Sequence, residues 1–186
     1  MQRLFYLVNM KIEIENGCSI STFQFKDTFA LAQKISSAHV RKWLLDLPNP
    51  YTEQIAKSWI TENLEFYTNN HHHLNLTIRN QHDALIGGIG KKLKTGQNFS
   101  HSCEIGYWLS PEYWGKGIMT SAVSSYCNHL INNENFIRIE AIPFKNNVSS
   151  AKVLDKCGFK LEGILNKFVV KNEAYIDCLL YAYVKN

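Results

Sequence analysis

Two glycines on either side of a lysine, Gly115-Lys116-Gly117, carry the clearest chemical implication in this sequence. They follow the mostly apolar residues 105–109 and precede a stretch with helical spacing. A helix that begins on such a turn directs its unpaired backbone N–H groups and the positive end of its dipole to the same side. This arrangement binds phosphate or pyrophosphate without cationic side chains. The turn therefore predicts an anion site, and a phosphorylated ligand is the first one to consider.

Two nucleotide-binding motifs are excluded by their spacing. Gly88 and Gly90 begin a G-x-G pattern, but Leu93 stands where a dinucleotide fingerprint needs its third glycine, and no helix is predicted to follow. The residues around Gly115 lack the G-x-x-x-x-G-K-[ST] spacing of a P-loop. The sequence therefore supports neither a doubly wound dinucleotide fold nor nucleotide hydrolysis.

Helices dominate the first third of the chain. Apolar residues with helical spacing predict three of them, beginning after Asp27, near Val40 and after Thr52. From Leu74 the period changes to two, which predicts an antiparallel meander of three strands that ends near Leu109. The anion-binding turn is thus expected directly after the third of these strands.

The remaining chain predicts a crossover connection. A helix over about residues 116–132 is followed by an alternating strand over 137–141, and this order implies a parallel pair of strands with the helix between them. A shorter helix over 148–156 ends before Gly158, and two alternating strands follow. The predicted fold class is α/β in the α+β sense: a single-domain mixed sheet, mainly antiparallel, with a central parallel pair and helices on both faces.

Composition narrows the class of protein. The 186 residues, 45% of them hydrophobic, suit one domain with a full core. No apolar run approaches the roughly 20 residues of a membrane span, and no cleavage site follows the N-terminal apolar residues, so a cytoplasmic location is predicted. The net charge of +4 is spread out, which argues against direct nucleic-acid binding. His71, His72 and His73 lack acidic or cysteine partners at ligand spacing, so no metal site is predicted.

Several segments together resemble the Gcn5-related N-acetyltransferase (GNAT) superfamily, and within it the RimJ and RimL type of ribosomal-protein N-acetyltransferase. The matching motifs are residues 104–109, 113–120, 147–150, 153–159, 162–163 and 175–181. The resemblance extends over residues 20–186 as an N-acetyltransferase domain and leaves residues 1–19 as an N-terminal segment outside it. It implies the acyl-CoA N-acyltransferase fold of that superfamily.

This resemblance implies acetyl-CoA as the acyl donor. Main-chain amides of the glycine turn would hold its pyrophosphate, and the Leu109 N–H would hold the thioester carbonyl. The sequence departs from the superfamily pattern at Trp114, where Arg or Gln is usual, and at Met119, where Gly or Ala is usual. The implied cofactor-binding residues are Leu109, Gly115, Lys116, Gly117, Ile118, Met119, Thr120 and Asn147.

The resemblance also implies direct attack of a primary amine on the thioester in a ternary complex. Glu104 is the predicted base. The wider superfamily often has a tyrosine acid at the position of Leu154, and the resemblance to the RimL-like branch implies that Ser150 contacts the sulfur instead. Two structural alternatives stay open: Glu104 as an ion-pair partner, and Asn147 with Ser150 as a helix N-terminus that satisfies its own amides. The predicted substrate-pocket residues are Trp43, Tyr51, Tyr107 and Tyr175.

The identity of the acceptor stays open. A protein N-terminal amine fits the resemblance, and a small amine such as a polyamine, an amino acid or an antibiotic is the alternative. A CoA-binding regulator without turnover is a second alternative, and a basic RNA-associated module, suggested only by the pI of 8.7, is a third. The predicted partners are acetyl-CoA and an amine acceptor, in a monomer or a homodimer.

Overall fold

The structure is a computed structural model that describes residues 10–45, 47–70 and 72–185. The N-terminal apolar residues weighed against a secretory signal, and His71, lie outside this part of the chain. The helices are α1 (Thr28–Ser36), α2 (Ala38–Arg41), α3 (Glu53–Asn70), α4 (Ile118–Asn133) and α5 (Val148–Lys156). The strands are β1 (Lys11–Glu13), β2 (Ser19–Ser21), β3 (Asn75–Arg79), β4 (Leu85–Leu93), β5 (Ser102–Leu109), β6 (Arg138–Ala141), β7 (Lys160–Lys171) and β8 (Ala174–Val184).

The strands form an eight-stranded sheet in the order β1-β2-β3-β4-β5-β6-β8-β7. β5 and β6 are parallel, with Cys103 opposite Ile139, and α4 lies between them in the chain. β8 pairs antiparallel with both β6 and β7. The predicted fold class, with its mainly antiparallel sheet and central parallel pair, is confirmed. None of the described helices combines the length and the apolar character that a membrane span requires.

The chain divides into two compact units. The first contains the described residues up to Gly90 together with residues 107–118. In this unit α3 begins as predicted after Thr52, whose hydroxyl accepts a hydrogen bond from the Ile55 N–H at 3.3 Å. Helical spacing places its buried residues on one face, and they join a core cluster with α1 and β4. The buried members of that cluster are Phe23, Leu31, Ala32, Ile35, Tyr51, Ala56, Ile60, Leu64 and Leu85.

A hairpin that the sequence interpretation did not predict lies in the same unit. β1 and β2 pair antiparallel with Ile12 opposite Ile20, and β2 pairs antiparallel with β3. Asn16 and Gly17 connect the two strands with φ angles of +61° and +66°. A type I′ turn requires positive φ at both central residues, and Asn-Gly is a preferred dipeptide for it. Part of the segment left outside the family resemblance therefore contributes a strand to the sheet.

The second unit contains residues 91–106 and the described chain from Met119 onward. One stripe of α4 is buried as predicted, which follows from the spacing of its apolar residues. α5 ends at Lys156, and Gly158 has a φ angle of +83°, the left-handed conformation predicted for the residue that terminates this helix. The buried stripe of α4 is formed by Met119, Ala122, Val123, Tyr126 and Leu130.

A buried ion pair connects β3 to the residue before α1 in the first unit. Arg79 donates from Nη1 and Nη2 to the two carboxylate oxygens of Asp27 at 2.8 and 2.7 Å, and the two side chains are 2% and 3% exposed. Arg79 also donates to the Ser21 hydroxyl and the Thr22 carbonyl. Asp27 accepts a further bond from the Gln24 N–H. Asp27 therefore precedes α1 as predicted, but its carboxylate binds Arg79 and does not cap the helix.

Replacement of Arg79 by methionine should lower the free energy of unfolding by about 3–5 kcal/mol, because it leaves the Asp27 carboxylate buried without its partner. The matched control is Lys26→Met, which removes the exposed ion pair between Lys26 and Asp83 and should cost less than about 1 kcal/mol. Urea unfolding at pH 7 measures both variants. Equal midpoints for the two would show that the buried pair does not govern the stability of this unit.

Candidate functional site

The glycine turn between β5 and α4 has a left-handed backbone. Gly115 and Gly117 have φ angles of +73° and +77°, and α4 begins at the next residue, Ile118. A Cβ atom built on either glycine would meet nothing within 4 Å. The glycines are therefore required by the backbone conformation, since neither is crowded by a neighbour. They leave an open surface next to the first turn of a helix, where backbone N–H groups lack intrahelical partners.

Side chains of the first unit hold the residues that lead into this turn. Lys34 on α1 donates from Nζ to Glu112 Oε1 at 2.8 Å, and Lys116 donates from Nζ to the Glu112 carbonyl at 2.9 Å. The indole of Trp114 donates from Nε1 to the Leu109 carbonyl at 2.7 Å. The Lys116 ammonium is therefore directed back onto its own loop. Its predicted part in cofactor binding would come from the main chain.

Sequence reasoning missed a contact that reaches the turn from the N-terminal hairpin. The Asn16 side chain donates from Nδ2 to the Lys116 carbonyl at 3.1 Å, although 100 positions separate the two residues. The Asn16-Gly17 dipeptide was a readable local signal for a hairpin. No local pattern could show that this hairpin lies against the glycine turn. The same holds for Lys34 and Glu112, which come together only through the tertiary fold.

The glycines of β4 serve close packing. A Cβ atom on Gly87 would lie 2.5 Å from the Trp108 carbonyl oxygen, and one on Gly88 would lie 2.7 Å from Trp108 Nε1. The Ser110 N–H donates to the Ile86 carbonyl at 2.9 Å just beyond the end of β5. The G-x-G pattern at Gly88 thus belongs to a strand that the end of β5 approaches closely, in agreement with its exclusion as a dinucleotide motif.

Two glutamates share one register position in the second unit. Glu104 on β5 lies opposite Glu140 on the parallel strand β6. Glu140 is only 7% exposed, and it accepts hydrogen bonds or ion pairs from Arg138 Nε and Lys94 Nζ, both at 2.6 Å. The alternating pattern of β6 placed Glu140 among its polar positions, and these two cations explain its burial. Lys92 and Lys94 act on Glu104 through their charge.

The different surroundings of the two carboxylates shift their pKa values in opposite directions. Burial raises the pKa of Glu104 and is the largest effect; the charges of Lys92 and Lys94 lower this pKa and the Glu140 charge raises it, and the net shift is upward. For Glu140, burial also opposes ionisation, but the hydrogen bonds from Lys94 and Arg138 lower its pKa below the usual range. Glu104 is therefore the better proton acceptor of the two near neutral pH.

The start of α5 satisfies its own backbone. Asn147 is the N-cap, and its side-chain oxygen accepts a hydrogen bond from the Ser150 N–H at 3.2 Å. This confirms the structural alternative for Asn147, since N-cap side chains accept bonds from the free amides of the first turn. A role of Asn147 in cofactor binding, and a contact of Ser150 with the cofactor sulfur, stay predictions.

The first residues of α4 direct their side chains into protein. Ile118 is 3% exposed and Met119 is 9% exposed. Only their main-chain atoms would therefore be offered to a ligand. The Met119 side chain, which departs from the superfamily pattern, is accommodated in the core. The Thr120 carbonyl accepts a hydrogen bond from the Cys157 thiol at 3.3 Å within the second unit.

The four aromatic residues predicted to contact the acceptor differ in accessibility. Tyr51 is 6% exposed and belongs to the core cluster of the first unit, so it offers little surface to an acceptor. Trp43 and Tyr107 are half-buried in that unit. Tyr175 lies on β8 in the second unit and is 68% exposed. Contact with an acceptor stays a prediction for all four.

The cysteines Cys103 and Cys157 of the second unit are poorly suited to act as nucleophiles. Burial raises the pKa of Cys103 to about 12 and also raises the pKa of Cys157, so both thiols keep their protons near neutral pH. A thiolate is the nucleophilic form of cysteine. Within the described ranges, no group of three His, Cys, Asp or Glu side chains lies close enough to hold a metal ion.

Comparison with known sequences identifies the family. A family model for the acetyltransferase (GNAT) domain matches residues 19–160. A curated relative, the uncharacterized N-acetyltransferase YnaD of Bacillus subtilis, is 28% identical over 166 residues, which cover 89% of this chain and 92% of YnaD. The residues that the family model matches include the glycine turn and the start of α4. The hairpin turn at Asn16 precedes the region that the family model matches.

Solved structures share the fold over nearly the whole chain. The ribosomal-protein-S5-alanine acetyltransferase of Vibrio fischeri is 25% identical with a TM-score of 0.85, and the alignment covers 95% of this chain and 97% of that one. RimL, a ribosomal L7/L12 alpha-N-protein acetyltransferase solved with coenzyme A, is 20% identical with a TM-score of 0.82, over 95% and 98% of the two chains. The resemblance to RimJ and RimL type acetyltransferases that the motifs predicted is confirmed.

Proposed function

Because the chain belongs to the acetyltransferase (GNAT) family, we propose that it transfers an acetyl group from acetyl-CoA to a primary amine by direct attack in a ternary complex. One observation carries the proposal: two glycines with φ angles of +73° and +77° stand immediately before α4. Acetyl-CoA supplies an acetyl group already activated as a thioester. No covalent acyl-enzyme is needed, in agreement with the protonated thiols of Cys103 and Cys157.

The residues present fit a diphosphate. Both glycines leave open space where a side chain would stand, and the first turn of α4 supplies N–H donors and the positive end of a helix dipole. The main-chain amides over residues 115–120 are proposed to bind the diphosphate of coenzyme A. The Leu109 N–H is proposed to bind the thioester carbonyl, where it would also stabilise the oxyanion. The coenzyme A complex of RimL, which shares this fold, supports the assignment.

Glu104 is proposed to accept the proton that the attacking amine loses. Its pKa, raised first by burial, lies closer to the pH at which a general base works than that of an ordinary glutamate. An N-terminal amine with a pKa near ~8 is about one-tenth neutral at pH 7, whereas a lysine near ~10.4 is almost entirely charged. An α-amine therefore makes the smaller demand on this base. Ser150 is proposed to donate a hydrogen bond to the departing sulfur.

The charges around Glu104 favour an acceptor with one amine over a polycation. Lys92 and Lys94 both act on the Glu104 carboxylate, and Glu140 is already occupied by Arg138 and Lys94. A polyamine could pair one of its ammonium groups with the Glu104 carboxylate, but the ammonium groups of Lys92 and Lys94 would repel it. A protein N-terminal amine is the proposed acceptor, and RimL, which shares this fold, is named an alpha-N-protein acetyltransferase.

A thiol-release assay with acetyl-CoA tests this function. Peptides with a free N-terminus should release coenzyme A, and the same peptides with a blocked N-terminus and an internal lysine should not. Polyamines and free amino acids form the comparison set. Preference for a member of that set would replace the peptide acceptor by a small amine, and coenzyme A binding without release on any amine would identify a regulator without turnover.

Substitution of Gly117 by alanine should weaken coenzyme A binding by about tenfold or more, because left-handed backbone costs a residue with a Cβ atom about 1–2 kcal/mol and the turn would relax. Gly163→Ala is the matched control, since a Cβ atom there also meets nothing within 4 Å and its φ is not positive. Isothermal titration calorimetry measures both. Unchanged affinity in Gly117→Ala would remove the glycine turn from the binding site.

Replacement of Glu104 by glutamine should reduce turnover most at low pH. Near pH 6.5 the loss should reach about 100-fold, the lower part of the range for a general base. The loss should shrink toward pH 9, where an N-terminal amine with a pKa near ~8 is neutral without help. The wild-type acid limb should lie above the ordinary glutamate pKa, because activity falls as Glu104 is protonated. Glu65→Gln, on an exposed position of α3, is the control; a pH-independent ratio to wild type would assign Glu104 a structural role.

A further inference from the structure

The hydrogen bond from Asn16 Nδ2 to the Lys116 carbonyl, 3.1 Å long, reaches the peptide unit between the two left-handed glycines. We propose that Asn16 is a positioning residue for acetyl-CoA, acting through the Gly117 N–H. This inference rests on the proposed function. It concerns a residue that precedes the region matched by the family model, residues 19–160.

Peptide planarity links the two atoms. The carbonyl of Lys116 and the N–H of Gly117 belong to one planar, trans peptide unit, so they point in opposite directions. A donor that fixes the carbonyl therefore also fixes the direction of the N–H. The Gly117 N–H is one of the donors proposed to bind the diphosphate, and it immediately precedes α4. Asn16 thus controls the orientation of a binding group from the opposite end of the same peptide unit.

This peptide unit needs an external restraint. Gly115 and Gly117 both have positive φ, and a Cβ atom built on either would meet nothing within 4 Å, so neither a side chain of their own nor a neighbour at that position limits their rotation. A rotated peptide would turn the N–H away from the ligand. A donor held in the bound orientation before the ligand arrives reduces the ordering cost of binding. The Asn16 amide supplies that restraint without placing a charge beside the diphosphate.

Other contacts of the loop act at different points. Lys34 and Lys116 bind atoms of Glu112, and Trp114 binds the Leu109 carbonyl. These bonds fix the residues before Gly115. Asn16 itself is firmly held, because the Ile14 N–H donates to the Cys18 carbonyl at 3.0 Å across the hairpin and β2 pairs with β3. Backbone pairing of the hairpin therefore positions the side chain that reaches Lys116.

The test variant is Asn16→Gly, which removes the side-chain donor and keeps a residue that adopts φ near +61° without strain. The matched control is Asn135→Gly, because Asn135 has the same φ of +61° in the loop after α4. The dissociation constant of coenzyme A should rise about three- to tenfold in Asn16→Gly, as expected for one exposed neutral hydrogen bond. Asn135→Gly should stay within about twofold of the wild type, the scatter expected for a surface substitution.

Kinetics separate positioning from a general structural effect. Asn16→Gly should raise the KM for acetyl-CoA by the same factor and leave kcat within about twofold, since the diphosphate is bound equally in the ground state and the transition state. Asn16→Asp, which keeps the shape but presents an acceptor to the Lys116 carbonyl, should raise KM further. Thermal midpoints of Asn16→Gly and Asn135→Gly should agree. Wild-type coenzyme A affinity in Asn16→Gly, or a loss confined to kcat, would overturn the inference.

The same titration tests the positioning role of Asn16 separately from the proposed acetyltransferase function. If wild-type protein binds coenzyme A and Asn16→Gly binds it equally well, the positioning role is wrong and the proposed function stands. If wild-type protein does not bind coenzyme A, the proposed function is wrong and the inference falls with it. Weaker binding in Asn16→Gly, and still weaker binding in Asn16→Asp, supports both.

Discussion

The left-handed backbone at Gly115 and Gly117 is the constraint on which the proposed chemistry depends. A helix that starts directly after such a turn exposes its first amides toward the turn, which creates an anion site from main-chain atoms alone. The same glycines lose more conformational freedom on ordering than any other residue would. The conformation of the turn therefore depends on neighbouring side chains that bind it. In this protein those neighbours are side chains from α1, from the loop itself and from the N-terminal hairpin.

Both lysines beside the loop form hydrogen bonds to Glu112. The Lys116 ammonium lies against the Glu112 carbonyl, and Lys34 is paired with the Glu112 carboxylate. Binding of a diphosphate would then rest on amide dipoles and the helix terminus, whose contribution depends on orientation within the first turn. Orientation is set by peptide planes, and a single carbonyl contact fixes one. A neutral side chain such as Asn16 is consequently as relevant to an anion site of this kind as a basic one.

Features fixed by local spacing could be predicted from the sequence. The glycine turn, α4, α5 with Gly158 behind it, and the parallel pair β5 and β6 all follow from periodicity and helix-ending residues. Features that depend on contacts between residues far apart in the sequence could not be predicted. Glu140 is buried only because Arg138 and Lys94 reach it, and Asn16 meets Lys116 only in the folded chain. The Asn-Gly dipeptide is a local signal for a tight turn, but the hairpin was not predicted. Its position against the glycine turn is a property of the tertiary fold.

The pair Glu104 and Glu140 shows how one register position can hold two different carboxylates. Both lie on parallel strands at the same level, so strand geometry alone does not distinguish them. Glu140 binds two cations and its pKa falls, whereas burial dominates at Glu104 and its pKa rises. Groups whose surroundings separate their pKa values in this way are the usual source of acid and base assignments in enzymes. The ionised Glu140 also contributes to the shift at Glu104, because its charge opposes a second negative charge nearby. The structural ion pair and the proposed base are thus parts of one electrostatic arrangement.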